Sequence, residues 1–390
     1  MKCKLSAGFM ALCFFTAIVS NAAGAEISVP RLELFSHGTI KDGSLTVGTS
    51  ALADITLNGG YKYGATLGFS LSSTNLEKAF LFQDENLLSF RVFQAIVRQP
   101  FALPVELSFF VGAADTFCSG DNFLSRFGME GIGTDYRGFL YFPEGLGGNS
   151  GQYYSGAIHG IQGTGISLAL TSWEQVVPVL YIYEDLSFIR PEIFATVPLE
   201  EQLNSYSADL GLLINTAPVK LELFGGYSYT WEKKTAVRGG LLAYLSNGKG
   251  VDFLAQAGIP CWIPGEDFSI DNLYFLMEPR IRFGIFAVHV TLFYHPLYYM
   301  NRINPAEQGK ADVNFRFIFG NLDEKGTEGG LETTMILKAY DITDFVIRIS
   351  PFFSWISGGM EWNLKIRINP LGFDDPSGGF DAFLGIRTSF

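Results

Sequence analysis

The sequence predicts an all-β fold: a transmembrane antiparallel up-and-down β-barrel of about 18 strands, within a range of about 14 to 20. Three observations carry this. Segments of about ten residues alternate between apolar and polar side chains, as a strand with one face in lipid and one in water must, since successive side chains point to opposite faces. Mean hydropathy is positive at +0.21, yet beyond the amino-terminal segment no run approaches the ~20 apolar residues of a spanning helix. An apolar chain without such helices has the closed barrel as its membrane solution. Soluble sandwiches also alternate, and the third observation separates the two classes. Here the apolar faces end in Tyr or Trp, at Tyr61, Tyr63, Tyr229, Trp231, Trp355 and Trp362, where an aromatic girdle meets lipid headgroups.

Met1 to Ala25 reads as a secretory signal. Lys2 and Lys4 open it, Leu5 to Val19 is nearly unbroken apolar sequence, and Ala23-Gly24-Ala25 supplies a small-residue cleavage site. The apolar run is too short to span a bilayer. Residues 26–390 then form one barrel domain, with no linker, charge block or low-complexity tract. Removing the signal lowers the 27 basic residues to 25 against 39 acidic, so the formal charge moves from −12 to −14. Such an acidic chain is not expected to bind nucleic acid. Cys3 and Cys13 leave with the signal, and Cys118 and Cys261 remain, too few for a disulfide framework.

Along the chain, Tyr61–Ser72 sets Tyr61, Tyr63, Ala65, Leu67, Phe69 and Leu71 against Lys62, Gly64, Thr66, Gly68, Ser70 and Ser72. Val219–Trp231, the stretch around Asp312–Phe319 and the stretch around Glu361–Ile368 repeat the pattern. Gln152–Thr171 reads either as one long strand or as a hairpin. Counting back from the carboxy terminus on the periplasmic side places periplasmic turns at Ile356–Gly359, Asn321–Gly329, Phe283–Gly284, Ser246–Gly250, Thr216–Pro218 and Glu184–Ser187. Outward loops are expected at Pro370–Ser377, Asp341–Thr343, Pro296–Lys310, Pro260–Asp271, Leu199–Leu203, Thr116–Gly151 and Ser73–Asn86. Short turns on one side and long loops on the other are what such barrels show.

The last stretch, Gly379 to Phe390, alternates to the final residue, with Phe380, Ala382, Leu384, Ile386, Thr388 and Phe390 on one face. It resembles the closing strand of bacterial outer-membrane β-barrels. The resemblance implies an outer-membrane location and a terminal Phe390 read by the barrel-assembly machinery. Thr116–Gly151, too long for a simple connection, is similar in position to the third outward loop of general porins, which folds into the pore. Pro143-Glu144-Gly145-Leu146-Gly147-Gly148 is loosely similar to the Pro-Glu-Phe-Gly-Gly of that family's loop. On this likeness Asp121, Arg126, Glu130, Asp135, Arg137 and Glu144 are constriction candidates; otherwise the loop shields the outer surface.

Lumen parity also collects a ladder of Arg280, Arg282, Arg316, Lys338, Arg348, Lys365, Arg367 and Arg387. Glu278, Asp312, Glu332, Glu361 and Asp381 share that face. Either these charges satisfy one another in a wet lumen, or they set a transverse field against the acidic loop that tunes ion choice. His37, His159, His289 and His295 are scattered, and no hydrolase, metal or phosphate-loop motif accompanies them. No catalytic residue, cofactor or metal is assigned. Cys118 and Cys261 both fall in expected outward loops and could pair in an exported protein.

These features imply a porin-like channel for passive diffusion of small polar solutes. Its partners would be outer-membrane lipid and the solutes, and it could form a homo-oligomer. Lumen-side Phe110, Phe224 and Phe352 keep open a carrier of apolar molecules resembling the long-chain fatty-acid barrels. Against that, strand-like sequence from Ile27 leaves no room for that family's amino-terminal hatch. A barrel enzyme or a surface adhesin is the remaining alternative.

Overall fold

The computed structural model describes residues 25–41, 44–73, 86–129, 132–134, 156–190, 194, 196–295, 310–338, 341–372 and 379–389. Eighteen strands follow one another: β1 Ala25–Lys41, β2 Ser44–Gly59, β3 Tyr63–Ser73, β4 Asn86–Arg98, β5 Val105–Phe117, β6 His159–Leu170, β7 Val176–Asp185, β8 Tyr206–Asn215 and β9 Val219–Tyr229. The second half continues with β10 Thr235–Ser246, β11 Val251–Trp262, β12 Tyr274–Phe283, β13 Phe286–His295, β14 Lys310–Asn321, β15 Thr327–Lys338, β16 Asp341–Ser357, β17 Met360–Ile368 and β18 Phe380–Thr388. Each pairs antiparallel with its sequence neighbour, and β1 pairs with β18 from Leu32↔Thr388 to Thr39↔Asp381. That last ladder closes the sheet. A closed sheet satisfies every strand's backbone groups and leaves no edge, which is the condition for crossing lipid.

The alternation read in the sequence becomes two faces. In β5, Leu107 and Phe109 are exposed outward while Ser108 and Phe110 are buried inward. Register carries the inner face around the barrel, Phe110 opposite Gly165, Gly165 opposite Tyr183, and Tyr183 opposite Ser207. The outer face is a belt of large apolar side chains, among them Phe315, Phe317, Leu210 and Ile182. Trp355 and Trp362 lie opposite each other beside a two-residue turn and stack at 5.6 Å and 9°. Tyr61 and Tyr63 sit at another turn on the same side, so the expected girdle is present there.

Five of the six expected periplasmic turns connect the strands they should. The 321–329 connection holds a short helix, Leu322–Lys325, whose first turn is capped by the Asn321 side chain and which ends at Gly326 with φ 69°. Glu184–Ser187 is a correction. β7 ends at Asp185 on the outward side, and residues 186–205 form one outward connection that includes Leu199–Gln202. The parity is set instead by the tight 171–175 turn after a single strand β6; of Gln152–Thr171, the described residues 156–171 hold that one strand rather than a hairpin. The expected outward loop at Asp341–Thr343 lies within β16. Residues 1–24 and Phe390, hence the secretory signal and the terminal aromatic, lie outside the described residues.

Candidate pore

The lumen has two unlike halves. From β5 to β12 aromatic and aliphatic side chains share the inward face with buried polar ones, and the described residues of the β5–β6 connection fold in against them. Helix α1, Asp121–Phe127, buries Phe123. Cys118, Phe123, Ile132 and Ile158 of this connection form one cluster with Phe110, Phe117, Tyr181, Phe224, Leu242, Leu254 and Leu276 of the wall. Phe117 stacks on Phe224 at 5.0 Å and 4°. Glycines on the lumen face make room. A Cβ on Gly211 would lie 2.5 Å from the Phe117 ring, and one on Gly240 would lie 2.9 Å from Ile158. Of the two readings of the loop, the inward one fits its described residues, which lie inside the barrel after the fifth strand.

Polar contacts fasten it at intervals. Asn122 Nδ2 donates to Glu222 Oε1 on β9 at 2.9 Å. Gln256 Nε2 on β11 donates to the carbonyls of Cys118 and of Gly156, the latter at 2.8 Å. Arg126 reaches Glu106 at the foot of β5 at 2.8 Å, and Arg98 of β4 shares the same carboxylate at 3.0 Å. On β12, Thr134 donates its hydroxyl to Glu278, and Arg280 Nη2 donates to the Gly133 carbonyl at 2.7 Å. Asp121, at the start of α1, is exposed. Glu130, Asp135, Arg137 and Glu144, and with them Pro143–Gly148, lie outside the described residues.

Above this cluster, toward the outward ends of β6 to β10, sits a buried ionic network that the sequence reading missed. Arg238 Nη2 lies 2.6 Å from Asp209 and its Nη1 3.4 Å from Asp185. It also donates to Ser228 Oγ and Tyr183 Oη at 2.6 and 2.9 Å. His159, buried rather than solvated, is 3.2 Å from Tyr183 Oη. Arg238 shares its inward face with Ala236, Gly240 and Leu242, so no run of charges marked it.

In the other half, a cavity of about 330 Å³ lies toward the periplasmic ends of β12 to β18 and β1, lined by polar and apolar side chains alike. Arg282, Arg316, Lys365 and Arg387 of the expected ladder line it, and most of the ladder is paired. Arg316 meets Glu328 at 3.1 Å, Lys365 meets Glu332 at 2.8 Å, and Arg387 lies 3.6 Å from Glu33. Arg367 meets Asp381 at 2.6 Å just outside the cavity lining, and Arg280 meets Glu278 at 2.6 Å on the wall the loop touches. Arg282 lines the cavity. Arg348 is half-buried opposite Thr334, and position 338 lies opposite Lys310 in the register. Phe352 also lines the cavity, with the Arg316 guanidinium 4.6 Å above its ring. Phe110 and Phe224, by contrast, are covered by the inward connection.

Cys118 is buried and Cys261 half-buried within β11, and no bond joins them. The outward-loop placement of Cys261 is thus corrected: β11 runs on through Trp262. Burial, with the Glu222 carboxylate adding to it, pushes the Cys118 thiol well above its ordinary range.

No protein-family model and no curated protein matches the chain in sequence. Solved structures match it in shape. Pseudomonas aeruginosa OpdL aligns with a TM-score of 0.54 at 11% identity, over 94% of this chain and 99% of that one. OccK8 (OprE) of the same organism gives 0.54 at 9%, over 95% and 98%. The P. aeruginosa outer membrane protein opdK gives 0.53 at 10%, over 95% and 99%. At such identities the likeness is one of fold alone: the chain shares with these proteins a closed, antiparallel, up-and-down β-barrel.

Proposed function

We propose that the protein is an outer-membrane channel through which small polar solutes diffuse passively. The observation that supports this is the division of the lumen: the described residues of the inward connection pack against one side, and a cavity bordered by ion pairs lies on the other. Paired charges keep such a path wet without a single deep well, so solutes enter and leave readily and are sorted by width and lumen charge. The carrier of apolar molecules is less well supported, because the aromatic side chains that suggested it are mostly spent on packing.

Export by the amino-terminal signal, insertion read from the closing strand and association into homo-oligomers belong to the same proposal. Liposome swelling tests the solute class. Vesicles carrying the folded barrel should swell in small neutral sugars, and more slowly as sugar size rises. Folded barrel that admits no sugar, yet takes up labelled fatty acid, would overturn it.

A further inference from the structure

The described part of the inward connection touches the wall beyond its root as well. Gly133 and Thr134 land on β12, where Glu278 and Arg280, neighbours on the lumen face, offer one acceptor and one donor. Glu278, fully buried, receives the Thr134 hydroxyl and the Thr291 hydroxyl, the latter at 2.8 Å. Arg280 is fixed by Glu278, its Nε 2.7 Å from Oε1, and turns Nη2 to the Gly133 carbonyl at 2.7 Å. The root is independently secured by Gln256 and by the buried cluster. The root lies in the packed part of the lumen, and the landing lies beside the cavity, whose lining begins two residues along β12 at Arg282.

We propose that the Glu278–Arg280 pair is a landing site for the connection and fixes how far it projects into the solute path. Arg280 then acts as a positioning residue for conduction rather than as one more charge facing the solute. This rests on the channel reading above. A charge-assisted contact to the loop carbonyl is strong enough to hold a segment that is otherwise only a loop. Without it the segment samples positions in and out of the path, which the current reads as noise and altered conductance.

The test is single-channel recording in planar bilayers on Arg280→Ala, Arg280→Lys and Thr134→Val, with Arg282→Ala as the comparison. Arg282→Ala removes the same charge from the same strand and face. Arg280→Ala is expected to change conductance by roughly twofold or less and to raise open-channel noise, with Thr134→Val moving noise the same way. Arg280→Lys should recover quiet openings, because a donor and a charge remain. Arg282→Ala should shift ion selectivity with noise unaltered, and the heat-resistance of the folded barrel should be the same throughout. Arg280→Ala and Arg282→Ala behaving alike, or Arg280→Lys failing to quieten the current, would overturn the landing site. A wild-type barrel that conducts nothing would instead overturn the channel reading itself.

Discussion

Arg238 holds Asp209 with two prongs inside the barrel, Nε to Oδ1 at 2.7 Å and Nη2 to Oδ2 at 2.6 Å. Both side chains are buried, and Asp185, Tyr183 and Ser228 complete the guanidinium's contacts. With the aromatic stack below it, this network makes the β6 to β10 side of the lumen a solid core rather than a water channel.

Removing Arg238 leaves two buried carboxylates without their cation, and removing Asp209 leaves Arg238 with the longer contact to Asp185; breaking a buried pair costs about 3–5 kcal/mol. Asp209→Asn and Arg238→Ala should therefore each lower the urea midpoint of the folded barrel in detergent. The double change Asp209→Leu with Arg238→Met should recover only part of the loss, since apolar side chains can replace a buried pair but Asp185 then stays buried without the guanidinium. Single variants with unaltered midpoints would show the pair to be solvated.

The two faces of the sheet can be told apart by one charge. Phe315 stands half-exposed on the outer face near the middle of β14. Phe315→Arg should cost about 2–4 kcal/mol of folding into lipid, the penalty for arginine on a lipid face at mid-bilayer. Asn363→Arg, on the lumen face beside the cavity, should fold normally and shift ion selectivity. Folding measured in vesicles of increasing urea content decides between them, and equal costs would contradict the sidedness.

Thiol chemistry reports on the packed connection. Cys118 is buried, and burial together with Glu222 raises its thiol, so even mildly alkaline buffer leaves it protonated and slow to react. Maleimide should label Cys261 alone in folded, unreduced protein and both cysteines after unfolding, as followed by mass spectrometry. Rapid labelling of Cys118 in the folded barrel would mean that its environment is open to solvent. A mass two hydrogens short would mean that the thiols are joined.

Gly211→Ala tests the room left for the aromatic stack. Its Cβ would meet the Phe117 ring at 2.5 Å, so either the ring moves off Phe224 or the strand shifts. Overpacking of this kind costs about 1–3 kcal/mol, readable as a lower temperature for loss of the compact gel form. A neutral outcome would show that Phe117 has space to turn.

The barrel was legible because its rule is local. Alternation at positions such as Phe315 and Arg316 states which side faces lipid, and strand number follows from counting turns. The miss at Glu184–Ser187 arose where local signals compete, since Asp185 caps a short turn at Ser187 that resembles a periplasmic connection but begins a longer outward one. The inward fold of the connection after β5 is one of two readings the sequence leaves open, and it rests on the likeness to the third outward loop of general porins rather than on length. What it touches could not be read, because Asn122–Glu222, Arg126–Glu106 and Thr134–Glu278 join residues 20 to 144 positions apart. Arg238 was hidden for a related reason: a lone cation among Ala236, Gly240 and Leu242 acquires meaning only when closure brings Asp209 and Asp185 beside it.

The most direct test is single-channel conductance of the reconstituted wild-type barrel beside a variant lacking Asp121–Gly147. A path along the β12 to β18 wall, narrowed by the inward connection, requires stepwise, ohmic, weakly selective openings in the wild type and larger ones in the variant. No openings from folded wild-type barrel, or equal conductance in the two proteins, would contradict it.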